Sequence, residues 1–365
     1  MSFPPKPDER LKVLVSGLSN NLGGTEAVVG TYALALDADV QFEYMAFEKL
    51  QQLDFVKGTN SVVHICPDIS RPMKRAAFLR DILLNNQYDA VWVNCNHLLH
   101  VDVLHEAKKA GVPVRICHAH NTEFLGSTKT QFLSNINRGI AIRDSTIRLA
   151  CSEAAGKFFF RESSYQVLPN AVNTERFTFN QVERDRIRRD LSVCNDLVLV
   201  NVARLSKQKN QDFLLRVVAG LRSQSVPATL LLVGSGELRS VLEENARILN
   251  INEYVRFVGA QQDVSSYLSA SDIFLFPSLF EGLGISCIEA QFNGLTCLVS
   301  ECLPPETRIS RRINYLPLDI DVWVEAIINL SFNISHSSTL TNDSFLYNIS
   351  KTKDSLYGFL SGKLR

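Results

Sequence analysis

Residues 272–291 read Asp272-Ile-Phe-Leu-Phe-Pro-Ser-Leu-Phe-Glu281-Gly-Leu-Gly-Ile-Ser-Cys-Ile-Glu289-Ala-Gln291, and the fold is decided there. The apolar run Ile273 to Phe276 has the length of a buried strand. Pro277 stops it, since proline cannot donate to a sheet ladder. A loop follows with Glu281, Gly282 and Gly284, and from Ile285 the apolar residues recur at the spacing of a buried helix. Glycines let the backbone approach a ligand, and the N–H groups that open a helix attract an anion, with phosphate the natural guest. Glu281 in the loop and Glu289 one to two turns into the helix can face one pocket from different depths. Carboxylates beside an anion site accept hydrogen bonds from hydroxyls, and a sugar nucleotide offers both kinds of partner.

The same strand, loop, helix order recurs on either side. Leu11 to Ser16 reads as a buried strand and Thr25 to Leu36 as a helix, joined by the glycine-rich loop Gly17 to Gly24. Such loops lie at the carboxyl edge of a parallel sheet, where these folds bind ligands. With Gly17, Gly23 and Gly24 alone, the loop lacks the dinucleotide fingerprint Gly-x-Gly-x-x-Gly. Gly234-Ser-Gly236 also lacks it, because Arg239 stands where the third glycine belongs; a nicotinamide or flavin cofactor is therefore not expected. A turn that simply needs glycine is the competing reading of the first loop.

Leu197 to Ala203 is a further apolar strand, and Arg204 and Lys209 leave its end on one loop, ahead of a helix expected to be capped by Asn210. Two cations placed so can grip a diphosphate, the arginine as a planar fork and the lysine as a point charge. His118 and His120 stand at the end of the strand Val114 to Cys117, suited to donate hydrogen bonds to a sugar or phosphate. No carboxylate or cysteine nearby completes a metal ligand set. The pairs Asp37/Asp39 and Asp319/Asp321 follow no strand at a nucleotide site, and no two carboxylates stand as the acid and nucleophile of a glycosidase.

The chain has 365 residues, more than one ordinary α/β core, so two domains are expected. Lys plus Arg and Asp plus Glu are each 38, which gives no general attraction to nucleic acid. The arginines at 184, 186, 188 and 189 alternate with acids and read as a solvated helix face. Residues 71–84 read as a basic amphipathic helix, with Arg71, Lys74, Arg75 and Arg80, which is either an ordinary surface helix or one that lies on an anionic membrane or receives a phosphorylated lipid. Eight cysteines stand singly, which favours reduced core thiols. The N-terminal residues lack the apolar core of a signal peptide and no apolar run is long enough to span a membrane, so a cytoplasmic protein is expected. The stretch 173–195 reads as a connection between domains, Val167 to Val172 as the last strand of the first, and the polar tail from Ser331 as a loosely held segment before a terminal helix.

Gly23-Gly24-Thr25-Glu26, Ala110 to Thr122, Leu149-Ala-Cys-Ser152, Leu168-Pro-Asn-Ala171, Arg204 with Lys209, Leu232 to Glu237, Val258-Gly259 and Glu281 to Glu289 agree in order and spacing with a known family. The chain resembles the family 4 retaining glycosyltransferases of the GT-B type, in the branch that builds bacterial capsular polysaccharides and exopolysaccharides. That branch usually has serine where this chain has Ala119. The resemblance implies two facing Rossmann-like domains with a cleft between them. Residues 1–172 would form the acceptor side, 173–345 the nucleotide-sugar side, and 346–365 a helix packing back on the first domain.

By the same resemblance Arg204 and Lys209 neutralise the diphosphate leaving group with backbone N–H groups near Gly282, Leu283 and Gly284. Glu281 holds hydroxyls of the transferred hexose, Glu289 the ribose, and His120 the sugar or reacting centre, with His118 as its substitute. Gly23 and Gly24 approach the phosphate or acceptor, and base contacts near Val258 bear on donor choice. The expected activity is hexosyl transfer with retention, without metal or cofactor, from a UDP-sugar to a polyprenyl-diphosphate-linked saccharide at the inner face of the membrane. Two other readings share the architecture: a sugar-nucleotide epimerase, which would need acid/base residues across the cleft that the sequence does not display, and a non-catalytic partner subunit, which would have lost Arg204, Lys209 or the glutamates.

Overall fold

In the computed structural model the described residues are 10–20, 23–59, 61–124, 126–337 and 339–364. They divide into two compact units, residues 1–171 with 346–365, and residues 172–345.

The first unit runs β1 (Leu11–Ser16), α1 (Gly24–Ala35), β2 (Val40–Ala46), α2 (Asp54–Gly58), β3 (Val63–Ile65), α3 (Pro72–Asn86), β4 (Ala90–Cys95), α4 (Asp102–Lys109), β5 (Val114–Ala119), α5 (Thr128–Asp144), β6 (Ile147–Ala150), α6 (Glu153–Phe160) and β7 (Gln166–Val167). Its seven strands lie in the order β3-β2-β1-β4-β5-β6-β7, every pairing parallel. The second unit runs α7 (Gln181–Asp190), β8 (Leu197–Val202), α8 (Gln211–Ser223), β9 (Ala228–Val233), α9 (Arg239–Ile248), β10 (Val255–Gly259), α10 (Ser265–Ala270), β11 (Ile273–Phe276), α11 (Ile285–Phe292), β12 (Thr296–Ser300), β13 (Ile313–Leu316) and α12 (Ile320–Ser331). Its six strands follow β10-β9-β8-β11-β12-β13, again all parallel. Two Rossmann-like α/β units are therefore present, as expected.

The sequence forms these sheets because its strands are continuous apolar runs, which only a sheet covered on both faces can bury. Val13, Leu14 and Val15 are fully buried, as are Leu230, Leu231 and Leu232. In the second unit Phe213 of α8 meets Trp323 of α12 edge to face, ring centres 5.2 Å apart, over the same core. The last helix, α13 (Ile349–Leu360), belongs to the first unit. It packs on α1, with Leu356 and Leu360 fully buried.

Strand order locates the sites. Each unit starts near the middle of its sheet, adds strands toward one edge and then crosses over to add the rest toward the other, so the order switches between β1 and β4 and between β8 and β11. At such a switch point the loops leaving neighbouring strands part in opposite directions and open a crevice at their carboxyl ends. In the second unit these two loops are 203–210 and 277–284.

Three expectations need correction. The strand foreseen at 167–172 is only β7, Gln166–Val167, because Pro169 has no N–H to extend the ladder. The arginines of α7 are not one solvated face: Arg184 and Arg188 both reach Asp272, at 2.6 Å each, while Arg186 pairs with Glu183 and Asp190 at the surface. The tail after Ser331 is held, with Ser337 N–H donating to Gly294 O at 3.2 Å and Thr341 N–H to Ile309 O at 2.8 Å. The N-terminal reading that excluded a signal peptide rests mostly on residues 1–9, and part of the 17–24 loop on residues 21–22; both lie outside the described residues.

Candidate active site

In the second unit, loops 203–210 and 277–284 are bonded to each other. Gln208 accepts from Leu279 N–H at 2.9 Å through its carbonyl and donates from Nε2 to Phe280 O at 2.9 Å. Asn210 was expected to cap α8. Its backbone lies instead in the left-handed region, φ 55°, and makes no side-chain cap. Its Nδ2 donates across to Pro277 O at 3.2 Å. Lys209, between these two residues, extends its ammonium to the Glu281 carboxylate and lies 5.0 Å from the centre of the Phe276 ring. Two residues 72 positions apart in the chain thus form one ion pair, with Glu281 buried.

Beneath the first loop, buried Gln211 donates to Arg204 O at 2.8 Å and to Asn201 Oδ1 at 3.3 Å. Asn201 in turn donates to Leu275 O at 2.8 Å, so amide side chains fasten the ends of β8 and β11 together. The Arg204 side chain itself is exposed. Gly234 and Gly236 border this loop, and a Cβ at either would stand about 2 Å from the carbonyl oxygen of Ala203 or Leu205.

Gly282, Leu283 and Gly284 are all buried. Gly284 is the N-cap of α11 at φ 79°, a conformation suited to glycine. The turn just before it is fixed by Thr307, whose hydroxyl donates to Leu283 O at 2.6 Å. Glu289 lies on the second turn of α11; burial pushes its carboxyl up to about 8, against the pull of the Arg176 charge. Val258, half-buried on β10, stands three strands from β11.

In the first unit, Gly17 has φ +96°, and a Cβ there would fall 1.9 Å from Asn94 O, so glycine is required where β1 and β4 part. Gly23 is the extended N-cap of α1, φ −120°, and Gly24 its first residue, a backbone open to other side chains. Glu26 closes the loop from within, its Oε1 accepting from Ser19 N–H and Ser19 Oγ, both at 2.9 Å.

His120 meets Asn94 at the end of β4. The Asn94 amide donates to Ser16 O at 3.3 Å, which turns its oxygen toward His120 Nε2 at 2.8 Å. The proton of a neutral His120 therefore sits on Nε2. Burial lowers the His120 pKa to about 4, opposed by Asn170. His118 is sealed: no part of it is exposed, Trp92 donates to its Nδ1 at 3.3 Å, and the His120 ring lies 4.1 Å away. As a substitute for His120 it has no access to a ligand.

Among the described residues no group of three His, Cys, Asp or Glu could hold a metal ion. Asp319 is committed elsewhere, capping α12 by accepting from Asp321 and Val322 N–H, and Asp37 pairs with Arg10. The sequence reading missed Gln208, Gln211, Gln291 and Thr307. A single amide or hydroxyl, whether in a loop (Gln208, Thr307) or on a helix (Gln211, Gln291), carries no periodic signal, and its role becomes visible only once the strands are aligned.

The arrangement offers a cation held by a carboxylate, a glycine turn at a helix start, and a second carboxyl deeper on that helix. A model of the family described as glycosyl transferases group 1 matches residues 183–313, the span that holds all of these. The putative glycosyltransferase EpsF of Bacillus subtilis (strain 168) is 30% identical over 343 residues, 87% of each chain. The UDP-Gal:alpha-D-GlcNAc-diphosphoundecaprenol alpha-1,3-galactosyltransferase of Escherichia coli is 27% identical over 286 residues, 73% of each. The solved structure of HepE of Anabaena, in complex with UDP and glucose, superposes with a TM-score of 0.81 over 96% of this chain and 100% of that one, at 17% identity. At that identity the likeness speaks for the fold, which is that of GT-B glycosyltransferases.

Proposed function

The chain belongs to the group 1 glycosyl transferases, and on that premise we propose that it moves a hexose from a UDP-sugar to a lipid-linked saccharide, with retention at the anomeric carbon and without a metal, in bacterial exopolysaccharide or capsule synthesis. One observation carries the reading: Lys209 and Glu281 meet at the switch point of the second sheet, beside the Gly282–Gly284 turn.

In the reaction, the bond between the anomeric carbon and the donor phosphate oxygen breaks, and nucleoside diphosphate leaves. Arg204, Lys209 and the N–H groups at the start of α11 offset the charge that gathers on it. Glu281 accepts hydrogen bonds from the hexose hydroxyls and keeps Lys209 in place, while Glu289 meets the ribose. The acceptor hydroxyl bonds to the anomeric carbon on the face the phosphate leaves, and its proton passes to a phosphate oxygen. His120, neutral and with its Nε2 proton held by Asn94, acts as a polar contact in the first unit and not as a base at that nitrogen.

UDP is favoured by the printed donor of the Escherichia coli relative and by the UDP in the Anabaena complex. A lipid-linked acceptor is favoured by the diphosphoundecaprenol in the name of that relative. No helix of the described residues is long and apolar enough to cross a membrane. A peripheral contact is supported by exposed Phe47, Ile65, Ile69 and Met73 beside exposed Arg71 and Lys74, a mixture suited to an anionic bilayer surface.

The test is proton NMR of the product formed from UDP-α-hexose and a polyprenyl-diphosphate-linked saccharide. An α-linked product supports the proposal. A β-linked product, or turnover with GDP- or dTDP-sugars only, refutes it.

A further inference from the structure

The glycine turn is held from two sides by residues that have no part in the chemistry above. On one side Gln208 Nε2 grips Phe280 O at 2.9 Å. On the other, the Thr307 hydroxyl grips Leu283 O at 2.6 Å. Thr307 is fully buried and is itself held by α11. Gln291 Nε2 donates to Thr307 O at 2.8 Å, and Gln291 Oε1 accepts from Ile309 and Ser310 N–H at 3.0 Å each. The helix therefore holds a loop, and the loop holds the residue that precedes the helix's own N-cap, Gly284. The ring of contacts is closed.

A peptide unit is planar and trans, so its C=O and its N–H point in opposite directions. Fixing the Leu283 carbonyl on Thr307 fixes where Gly284 N–H points, and fixing the Phe280 carbonyl on Gln208 does the same for Glu281 N–H. A turn whose backbone donors are aimed in advance need not reorganise when an anion arrives. We infer that Thr307, supported by Gln291, is a positioning residue that aims the Gly284 N–H at the terminal phosphate of a bound nucleoside diphosphate, with Gln208 doing the same from the opposite side. This rests on the nucleotide-sugar reading above and adds residues that the sequence motifs do not single out.

The experiment is calorimetric titration of the full chain with UDP, GDP and dTDP, and with the monophosphate matching whichever diphosphate binds best, for wild type, Thr307→Val and Thr307→Ser. Valine keeps the shape and removes the donor; serine keeps the donor. Thr307→Val is expected to weaken the diphosphate about tenfold or more, the worth of one hydrogen bond to a charged group. The monophosphate should change by less than about threefold, and Thr307→Ser should restore diphosphate binding to within about threefold of wild type. Melting curves of all three proteins confirm that each is folded at the titration temperature. Equal weakening of both nucleotides, no weakening, or failure of serine to restore binding would overturn the positioning role. If wild type bound none of the three diphosphates, the nucleotide-sugar reading itself would fall, and this role with it.

Discussion

Replacing Asp272 by alanine removes the carboxylate that two arginines of α7 share. Asp272 Oδ1 accepts from Arg184 at 2.6 Å, Oδ2 from Arg188 at 2.6 Å and from Val198 N–H at 2.8 Å. The side-chain exposures are 3% for the aspartate, 16% for Arg184 and 11% for Arg188. Breaking a buried ion pair from one side costs about 3–5 kcal/mol, since the remaining charge stays desolvated. Both arginines keep carbonyl partners, Arg184 at Ser269 and Ser271 and Arg188 at Ala270, which places the loss near the lower end, about 3 kcal/mol. For a unit of this size each kcal/mol moves Tm by about 2–4 °C, so Asp272→Ala should melt about 6–12 °C lower. Asp272→Asn, which retains an acceptor without the charge, should fall between. Differential scanning calorimetry measures both. Nucleotide binding well below the transition should match wild type, because the cluster lies at the amino end of β11, away from the loops that carry Lys209 and Glu281. A melting point for Asp272→Ala within about 2 °C of wild type, less than 1 kcal/mol for this size, would refute the reasoning.

Gly17→Ala combines φ +96° with a Cβ 1.9 Å from Asn94 O; the backbone must shift, and a loss of at least about 2 kcal/mol is expected in urea unfolding. Glu289 titrates near 8 in the fold and near its ordinary 4.5 when unfolded, so between those values the folded chain binds a proton that the unfolded chain does not. Stability therefore falls as pH rises through that window, by up to about 1.4 kcal/mol per unit, and unfolding curves for Glu289→Gln at pH 6 and pH 9 should show a shallower slope with the variant the more stable at pH 9. His120, with its pKa lowered to about 4, stays neutral in the working range. The pH–rate profile should then show no limb from an imidazole between pH 5.5 and 8, and an acidic limb near 6.5 that vanished in His120→Asn would contradict this.

Much of the second unit was legible because its strands are unbroken apolar runs and its punctuation is proline and glycine. Ile273–Phe276 ended at Pro277 as read, and the helix began at Ile285. What the sequence could not convey was pairing at a distance. Nothing local distinguishes Arg184 and Arg188, which neutralise a buried aspartate 84 to 88 residues away, from Arg186, which bridges its own helix. Asn210 has the composition of a cap and serves as a strut, since a left-handed residue cannot present its side chain as an N-cap does. His118 and His120 read alike and, two residues apart, share a side of the chain; they differ because His118 lies within β5, sealed beneath Trp92, whereas His120 stands one residue past its end, against Asn94. The loop at 17–24 was legible as glycine-dependent, and the requirement falls on Gly17, not on Gly23 with its extended backbone.

The proposed donor site of Lys209 and Glu281 works without a metal. Release of nucleoside diphosphate from UDP-, GDP- and dTDP-sugars, with acceptor and EDTA present, tests it most directly in wild type, Lys209→Ala and Glu281→Ala. Release from a UDP-sugar is expected to survive EDTA and to fall by a factor of about 100 or more in each variant, the scale of losing one group that stabilises a leaving charge. Release abolished by EDTA in wild type, or kept within about threefold of wild type in either folded variant, a difference under 1 kcal/mol, would contradict it.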